Sequence, residues 1–302
     1  MKIIVTGSLG HISKPLTQEL VQKGHSVTVI SSNPERKKDI ETLGASAAIG
    51  ALEDVAFLTS VFTGADVVYC MIPPGNYLDQ DFDIVAHYNK IGNNYAQAIL
   101  HSGVKRVVHL SSIGGNMDKD NGQLISHHHV ENILKELPAD VAITTMRPTA
   151  FYYNLYGFLP SIKTQGIIAA NYGEDDKGPW VSPVDIATAV AEEITGTFDG
   201  RKIRYVASEE LSCNEIAIIL GTAIGMPDLK WHIISDEQML DGLKTAGLNP
   251  AIAEGLVEMN ANVHNGKLLE DYYRNKPTLG KVKLSDFAKE FAAVFNSKPT
   301  NN

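Results

Sequence analysis

Cysteine is scarce in this chain. There are two in 302 residues, Cys70 and Cys213, each in an apolar stretch. That excludes a disulfide framework and leaves two reduced, buried thiols as the expectation. An excess of cations is also lacking. Lys and Arg number 26 against 35 Asp and Glu, a net charge of −9, the wrong sign for a phosphate backbone or an anionic bilayer. Nucleic acid and membrane are therefore not expected partners. No apolar run approaches the ~18 residues that a spanning helix needs. MKIIVTGSLG reaches Gly7 too early to hold a secretory apolar segment. A soluble, cytoplasmic protein is expected. Internal repeats and low-complexity tracts are missing too, and only the terminal SKPTNN is expected to fray.

What is present is ordinary globular composition, 44% hydrophobic and 20% charged, on a chain long enough to bury a sizeable core. Short β-branched runs alternate with helical spacing. KIIVT (2–6), SVTVI (26–30), ASAAIG (45–50), ADVVYCMI (65–72), VKRVVHLSS (104–112) and DVAITTMRP (140–148) read as six strands. Helices are expected between them, including one over 84–100 with Ile84, Tyr88, Ile91, Tyr95 and Ile99 on its apolar face, and one over 123–137. Continuous apolar strands separated by helices describe an α/β fold, a doubly wound parallel sheet covered on both faces. After Pro148 the pattern changes. Segment 149–184 is aromatic and reads as irregular, 185–195 and 202–207 read as a helix–strand pair returning to the sheet, and 209–296 reads as mostly helical. Two lobes follow: 1–148 plus 185–207 as a dinucleotide-binding Rossmann domain, and 149–184 plus 208–302 as a smaller, mostly helical lobe for substrate or partner.

TGSLGHIS (6–13) lies where the first strand turns into the first helix. Glycines there permit a tight turn and close backbone approach to a pyrophosphate, which then rests on the helix N-terminus. The spacing is G-x-x-G-x-x-S, through Gly7, Gly10 and Ser13. The candidate contacts are Thr6, Gly7, Leu9, Gly10, His11 and Ile12. No acid ends the second strand to hold a ribose 2′-hydroxyl. Ser31, Ser32, Asn33 and Arg36 stand there instead. Hydroxyls and a cation suit a 2′-phosphate, which favours NADP(H) over NAD(H). The same residues also suit a capped, solvated helix start.

The N-terminal TGxxGxxS, the NPERK after the second strand, VKRVVHLSS, MRPTAFYYN, WVSPVDIATAVAEEI and the closing KLSDFAKEFAAVF, in that order, resemble the NmrA-like branch of the atypical short-chain dehydrogenases. The resemblance implies a Rossmann lobe that binds NAD(P) and a smaller lobe that closes a cleft. Members include NADPH-dependent reductases, quinone reductases and NADP-sensing regulators without catalysis. It also implies that Leu52 offers the adenine only apolar and backbone contact. Met71, Ile72, Pro73 and Pro148 would line the nicotinamide side.

Catalytic members of the wider superfamily carry a Tyr, a Lys four residues on and a Glu four further. Here these positions read Gln123, His127 and Glu131, so the Tyr–Lys pair is missing. Ser111 and Ser112 stand on the strand that carries the catalytic serine, and Asn89 matches a helper position. The run His127, His128, His129 does not make a metal site. Helical neighbours are about 100° apart, and no third ligand joins His127 and Glu131. No metal is expected. His127 alone is aimed at the cleft by the resemblance, where it could hydrogen-bond a ribose or substrate oxygen or supply a proton. His127 and Ser111 are the catalytic candidates. Without the tyrosine, an ordinary ketone would leave an alkoxide unprotonated, whereas a quinone yields a far more stable phenolate-like anion. The expectation is an NADPH-dependent reductase of a small activated acceptor such as a quinone. The alternative is a non-catalytic NADP(H)-sensing protein that binds a regulated protein partner.

Overall fold

The computed structural model describes residues 1–197 and 200–297; most of the terminal SKPTNN lies outside the described residues. The first half alternates without interruption: β1 (Lys2–Val5), α1 (Ser13–Gln22), β2 (Ser26–Ser31), α2 (Arg36–Thr42), β3 (Ser46–Ile49), α3 (Val55–Phe62), β4 (Val67–Cys70), α4 (Ile84–Ser102), β5 (Arg106–Leu110), α5 (Ile125–Lys135) and β6 (Ala142–Pro148). Then come β7 (Ala150–Phe151), α6 (Leu159–Gln165), β8 (Ile167–Ala170), β9 (Lys177–Val181), α7 (Pro183–Thr195) and β10 (Arg201–Val206). The chain closes with β11 (Glu209–Ser212), α8 (Cys213–Ile224), β12 (Lys230–Ile233), α9 (Asp236–Thr245), α10 (Pro250–His264), α11 (Glu270–Arg274) and α12 (Leu284–Asn296).

Seven strands form one parallel sheet in the order β10-β6-β5-β4-β1-β2-β3. Buried on both sides, its strands alternate between two cores rather than between core and water. Ile3, Val5, Val29, Tyr69 and Val108 meet Leu16 and Leu20 of α1 and Ile186, Val190 and Ile194 of α7. Ile4, Val68, Cys70 and Val107 meet Leu58 and Phe62 of α3, Ile91 and Tyr95 of α4, and Val130 and Leu134 of α5. Each such side chain contributes roughly 1.5–3 kcal/mol by leaving water. Local signals agree with the packing. Asp54 and Asp83 accept from Phe57 N and Ala86 N, capping α3 and α4, while Gly103 in the left-handed region ends α4. Cys70 and Cys213 are both buried and free.

The chain moves outward from β1 to β3 and then returns to place β4 on the other side of β1. This reversal opens a crevice at the carboxyl ends of β1 and β4. The aromatic segment after Pro148 is more regular than its sequence suggests. It holds β7, a 3-10 stretch (Tyr152–Phe158), α6, β8 and β9, and the strands pair with β11 and β12 in two small sheets. Strands of two to five residues are too short to show a period, and their partners are remote in sequence. Around them Tyr152, Leu155, Trp180, Leu220, Trp231, Phe287 and Phe291 form a separate core.

Candidate functional site

The phosphate loop is held from below by side chains. Thr6 Oγ1 accepts from Met71 N at 2.8 Å, Ser13 Oγ donates to Thr6 O at 2.9 Å, and Tyr95 Oη donates to Met71 O at 2.6 Å. Gly7 has φ +88°, and a Cβ there would lie 2.6 Å from Met71 Sδ and 2.8 Å from Ser13 Oγ. Only glycine fits this turn. Gly10 is different. Its φ is unexceptional, and an added Cβ would meet only Gly7 O, at 3.2 Å. Above it, Ile12 stands in the cap position of α1 and supplies no side-chain cap. The amides of Leu9, His11 and Ile12 find no hydrogen-bond partner among the described residues. Donors left over at the start of a ten-residue helix, beneath an open glycine, fit an anionic diphosphate.

The end of β2 divides its candidates. Ser31 is buried, and its hydroxyl is engaged by Ser8 Oγ at 2.9 Å and Asn33 N at 3.2 Å. Asn33 Oδ1 accepts from Glu35 N at 2.9 Å. Ser32 and Arg36 are exposed, and Arg36 makes only a surface pair with Asp39 at 3.3 Å. Leu52 follows β3 and presents its carbonyl to Asn94 Nδ2 at 3.0 Å. Met71, Ile72 and Pro73 follow β4, and Pro148 ends β6, so these candidates gather at one edge of the sheet.

The helix expected over 123–137 is a 3-10 turn, Gly122–Leu124, followed by α5. Gln123 therefore precedes the α-helical stripe that holds His127 and Glu131. Gly122 makes the turn possible: its φ is +55°, and a Cβ would lie 1.9 Å from Gly255 O on α10. The three histidines diverge. His127 meets Tyr88 edge-on at 5.0 Å. His128 receives Asn132 Nδ2 on Nε2 at 2.8 Å and so donates from Nδ1 to Gly115 O, 3.1 Å away. His129 lies beside His128. No cluster of three His, Cys, Asp or Glu among the described residues is placed to hold a metal.

Burial lowers the pKa of His127 to about 4. The neighbouring His109 adds to the fall and Glu131 opposes it. The ring is thus neutral at pH 7, a hydrogen-bond donor rather than a strong acid. Ser111 Oγ donates to Glu131 Oε1 at 2.6 Å, and the same carboxylate grips Arg147 through two bonds of 2.9 and 2.7 Å. Burial alone would raise the Glu131 pKa, but Arg147 and Ser111 outweigh it and hold it below the ordinary value. Arg147 continues to Asp271 of α11 at 3.2 Å, and Tyr205 donates to Asp271 at 2.6 Å. Ser111 and Glu131 stood out in the sequence, but their joining to Arg147, Tyr205 and Asp271 did not.

Aromatic rings complete the cleft. His11 stacks on Tyr153 at 5.0 Å, and Tyr153 meets Phe151 at 5.0 Å. From FYYNLYGF, Tyr153 reaches the phosphate loop through His11 and Phe151 packs on Tyr153; Tyr156 stacks on Phe291 and Phe158 meets Trp231 edge-on in the second core. The loop after Pro73 adds Tyr77 and Phe82, with Phe82 tilted against His87 at 5.5 Å. Burial, with Tyr77 adding to it, pushes the Tyr153 phenol up to about 12.

The chain belongs to the NmrA-like family, which matches residues 1–270. A (4-alkanoyl-5-oxo-2,5-dihydrofuran-3-yl)methyl phosphate reductase of Streptomyces griseus is 25% identical over 260 residues, 85% of each chain. The fold is also that of an NADPH-dependent quinone oxidoreductase from Escherichia coli, solved with NADPH (TM-score 0.80, 18% identity, covering 96% of this chain and 99% of that one). A Citrobacter sp. triphenylmethane reductase solved with NADP(H) is similar as well (TM-score 0.75, 18% identity, 96% and 99%).

Proposed function

We propose that this chain is an NADPH-dependent reductase of a small activated acceptor, a quinone being the class its cleft suits. The observation that carries the reading is the set of partnerless amides at Leu9, His11 and Ile12, placed at the switch point of the sheet. Support comes from the relatives, which are reductases by name, two of them solved with NADPH or NADP(H). The amides of Leu9, His11 and Ile12 hold the diphosphate, in a seat that Thr6 braces from below and Gly7 and Gly10 keep open. Ser32 and Arg36 face a 2′-phosphate, while Ser31 and Asn33 shape the turn that presents them. Leu52 lies against the adenine; Met71, Ile72, Pro73 and Pro148 flank the nicotinamide. A reduced nicotinamide bound there supplies a hydride.

The choice of acceptor follows from the side chains. The Ser111 hydroxyl is committed to Glu131, so Ser111 positions that carboxylate. His127 is neutral and offers one N–H to the acceptor oxygen. A single neutral donor is weak help for an alkoxide and sufficient for the delocalised anion of a quinone, which takes its proton from water. Phe151, Tyr153 and Tyr88 give a flat ring surfaces to lie against. Stopped-flow absorbance of NADPH against a quinone panel tests this. Oxidation well above the buffer rate is expected, and none with any quinone overturns it. The missing Tyr–Lys pair together with the sequestered Ser111 favours one other reading, an NADP(H)-sensing protein with a protein partner. That reading requires cofactor binding without turnover and a partner whose capture responds to NADP(H).

A further inference from the structure

Asn249 precedes α10, far in sequence from every motif above, and is 4% exposed. Its Oδ1 accepts from Ala251 N at 2.9 Å and Ile252 N at 3.3 Å, an ordinary helix cap. Its other half does something a cap does not need. Nδ2 reaches three carbonyls of the loop after β4, Asp79 O at 3.0 Å, Gln80 O at 2.9 Å and Phe82 O at 3.2 Å, while the Asn249 amide donates to Tyr77 O at 2.9 Å. Gln80 returns the contact, donating to Gly247 O at 3.1 Å. Those loop residues are otherwise exposed or half-buried and are held mainly by their own tight turns. One buried side chain thus joins the loop to α10. The joint walls a cavity of about 690 Å³ whose lining includes Phe82, Asp83, Gln123, Ile125, Ile252 and Glu254.

We infer that Asn249 is a positioning residue for the acceptor side of the cleft: by fastening the 76–82 loop to α10 it sets where Tyr77 and Phe82 stand. The inference rests on the reductase reading for the word acceptor, and on hydrogen bonds alone for the fastening. The loop departs from Pro73, beside the proposed nicotinamide position. Tyr77 lies close enough to Tyr88 and Tyr153 to disfavour ionisation of both phenols. Tyr88 in turn touches His127. A loop free to move would blur that wall, while the phosphate loop keeps its own braces from Thr6 to Met71 and from Ser13 to Thr6.

Two variants separate fastening from capping. Asn249→Ser and Asn249→Asp both retain a good cap but neither can reach the three carbonyls as a donor. Expected for both are an NADPH dissociation constant within about threefold of wild type, loop amides that exchange with deuterium at least about tenfold faster, and an acceptor KM raised about tenfold. The Ser variant should keep a nearly unchanged melting midpoint, while the Asp variant, its buried carboxylate facing three carbonyls, should melt earlier. Asn249→Ala, losing cap and fastening together, should also melt earlier. Unchanged exchange over 76–82 in the Ser and Asp variants overturns the fastening, whether or not any acceptor is reduced. Faster exchange with unchanged acceptor KM, or an equal loss of NADPH affinity, overturns the acceptor role. A wild-type chain that reduces nothing would overturn that role along with the reductase reading, and exchange would still decide the fastening.

Discussion

In the proposed reading, residues 6–13 supply one side of the cleft from a single turn, with partnerless backbone amides beside two glycines. The other side draws on α4, α5, the segment from β6 into β7, the loop after β4 and Asn249 before α10, groups far apart in sequence. The first side therefore depends on geometry that almost any side chain would spoil. The second depends on which side chains are present and on what fixes them.

Four perturbations press on this contrast. The largest effect is expected behind the acceptor side. Arg147→Met strands Glu131 as a buried carboxylate and should cost about 3–5 kcal/mol of stability by denaturant titration. Replacing Glu131 and Arg147 together by Leu and Met should recover most of the loss, and a single-variant loss under about 1 kcal/mol would show the pair to be unimportant. Gly10→Val comes next. With a permitted φ and one contact at 3.2 Å, the variant should fold, yet its side chain occupies the diphosphate seat, so NADPH affinity by calorimetry should drop at least about 100-fold. Near-normal affinity would remove the backbone cradle from the account.

The third concerns pH. His109 on β5 is buried, and burial lowers its pKa to about 4, with Glu131 partly opposing. The unfolded chain takes up a proton near pH 6.5 and the folded chain does not, so stability is full above that value. It should fall by on the order of 3 kcal/mol as pH drops from 6.5 toward 4. His127, lowered to a similar value, adds a like loss over the same range, so His109→Gln should remove about half of the slope, and an unchanged slope would assign the loss elsewhere. The smallest effect is expected at the exposed edge of the cofactor side. Arg36→Glu should weaken NADPH about tenfold and NADH little. Equal loss for both removes the reason to prefer NADP.

The same contrast explains what could be read from the sequence. Sheet, flanking helices and phosphate loop were legible because each signal is local. KIIVT, then Gly7 and Gly10, then Leu16 and Leu20 at helical spacing describe a strand, a turn and a helix in twenty residues. The helix–strand pair at 185–207 was read as returning to the sheet; its place beside β6 came from the structure. The acceptor side was not legible in this way. Arg147, Tyr205 and Asp271 meet across more than a hundred residues, and Asn249 meets a loop about 170 residues away. Nothing in the local GLNPA (247–251) distinguishes a cap from a fastening, because both use the same side chain. Ser31 shows the converse: the sequence offers its hydroxyl as a contact for a 2′-phosphate, and the structure shows that hydroxyl engaged by Ser8 and Asn33.

The cradle formed by Leu9, His11 and Ile12 is most directly tested by a crystal structure of the chain grown with NADPH. The diphosphate is expected within hydrogen-bond distance of these amides, with the adenosine toward Ser32 and Arg36. A nucleotide bound elsewhere, or none under saturating NADPH, would contradict it.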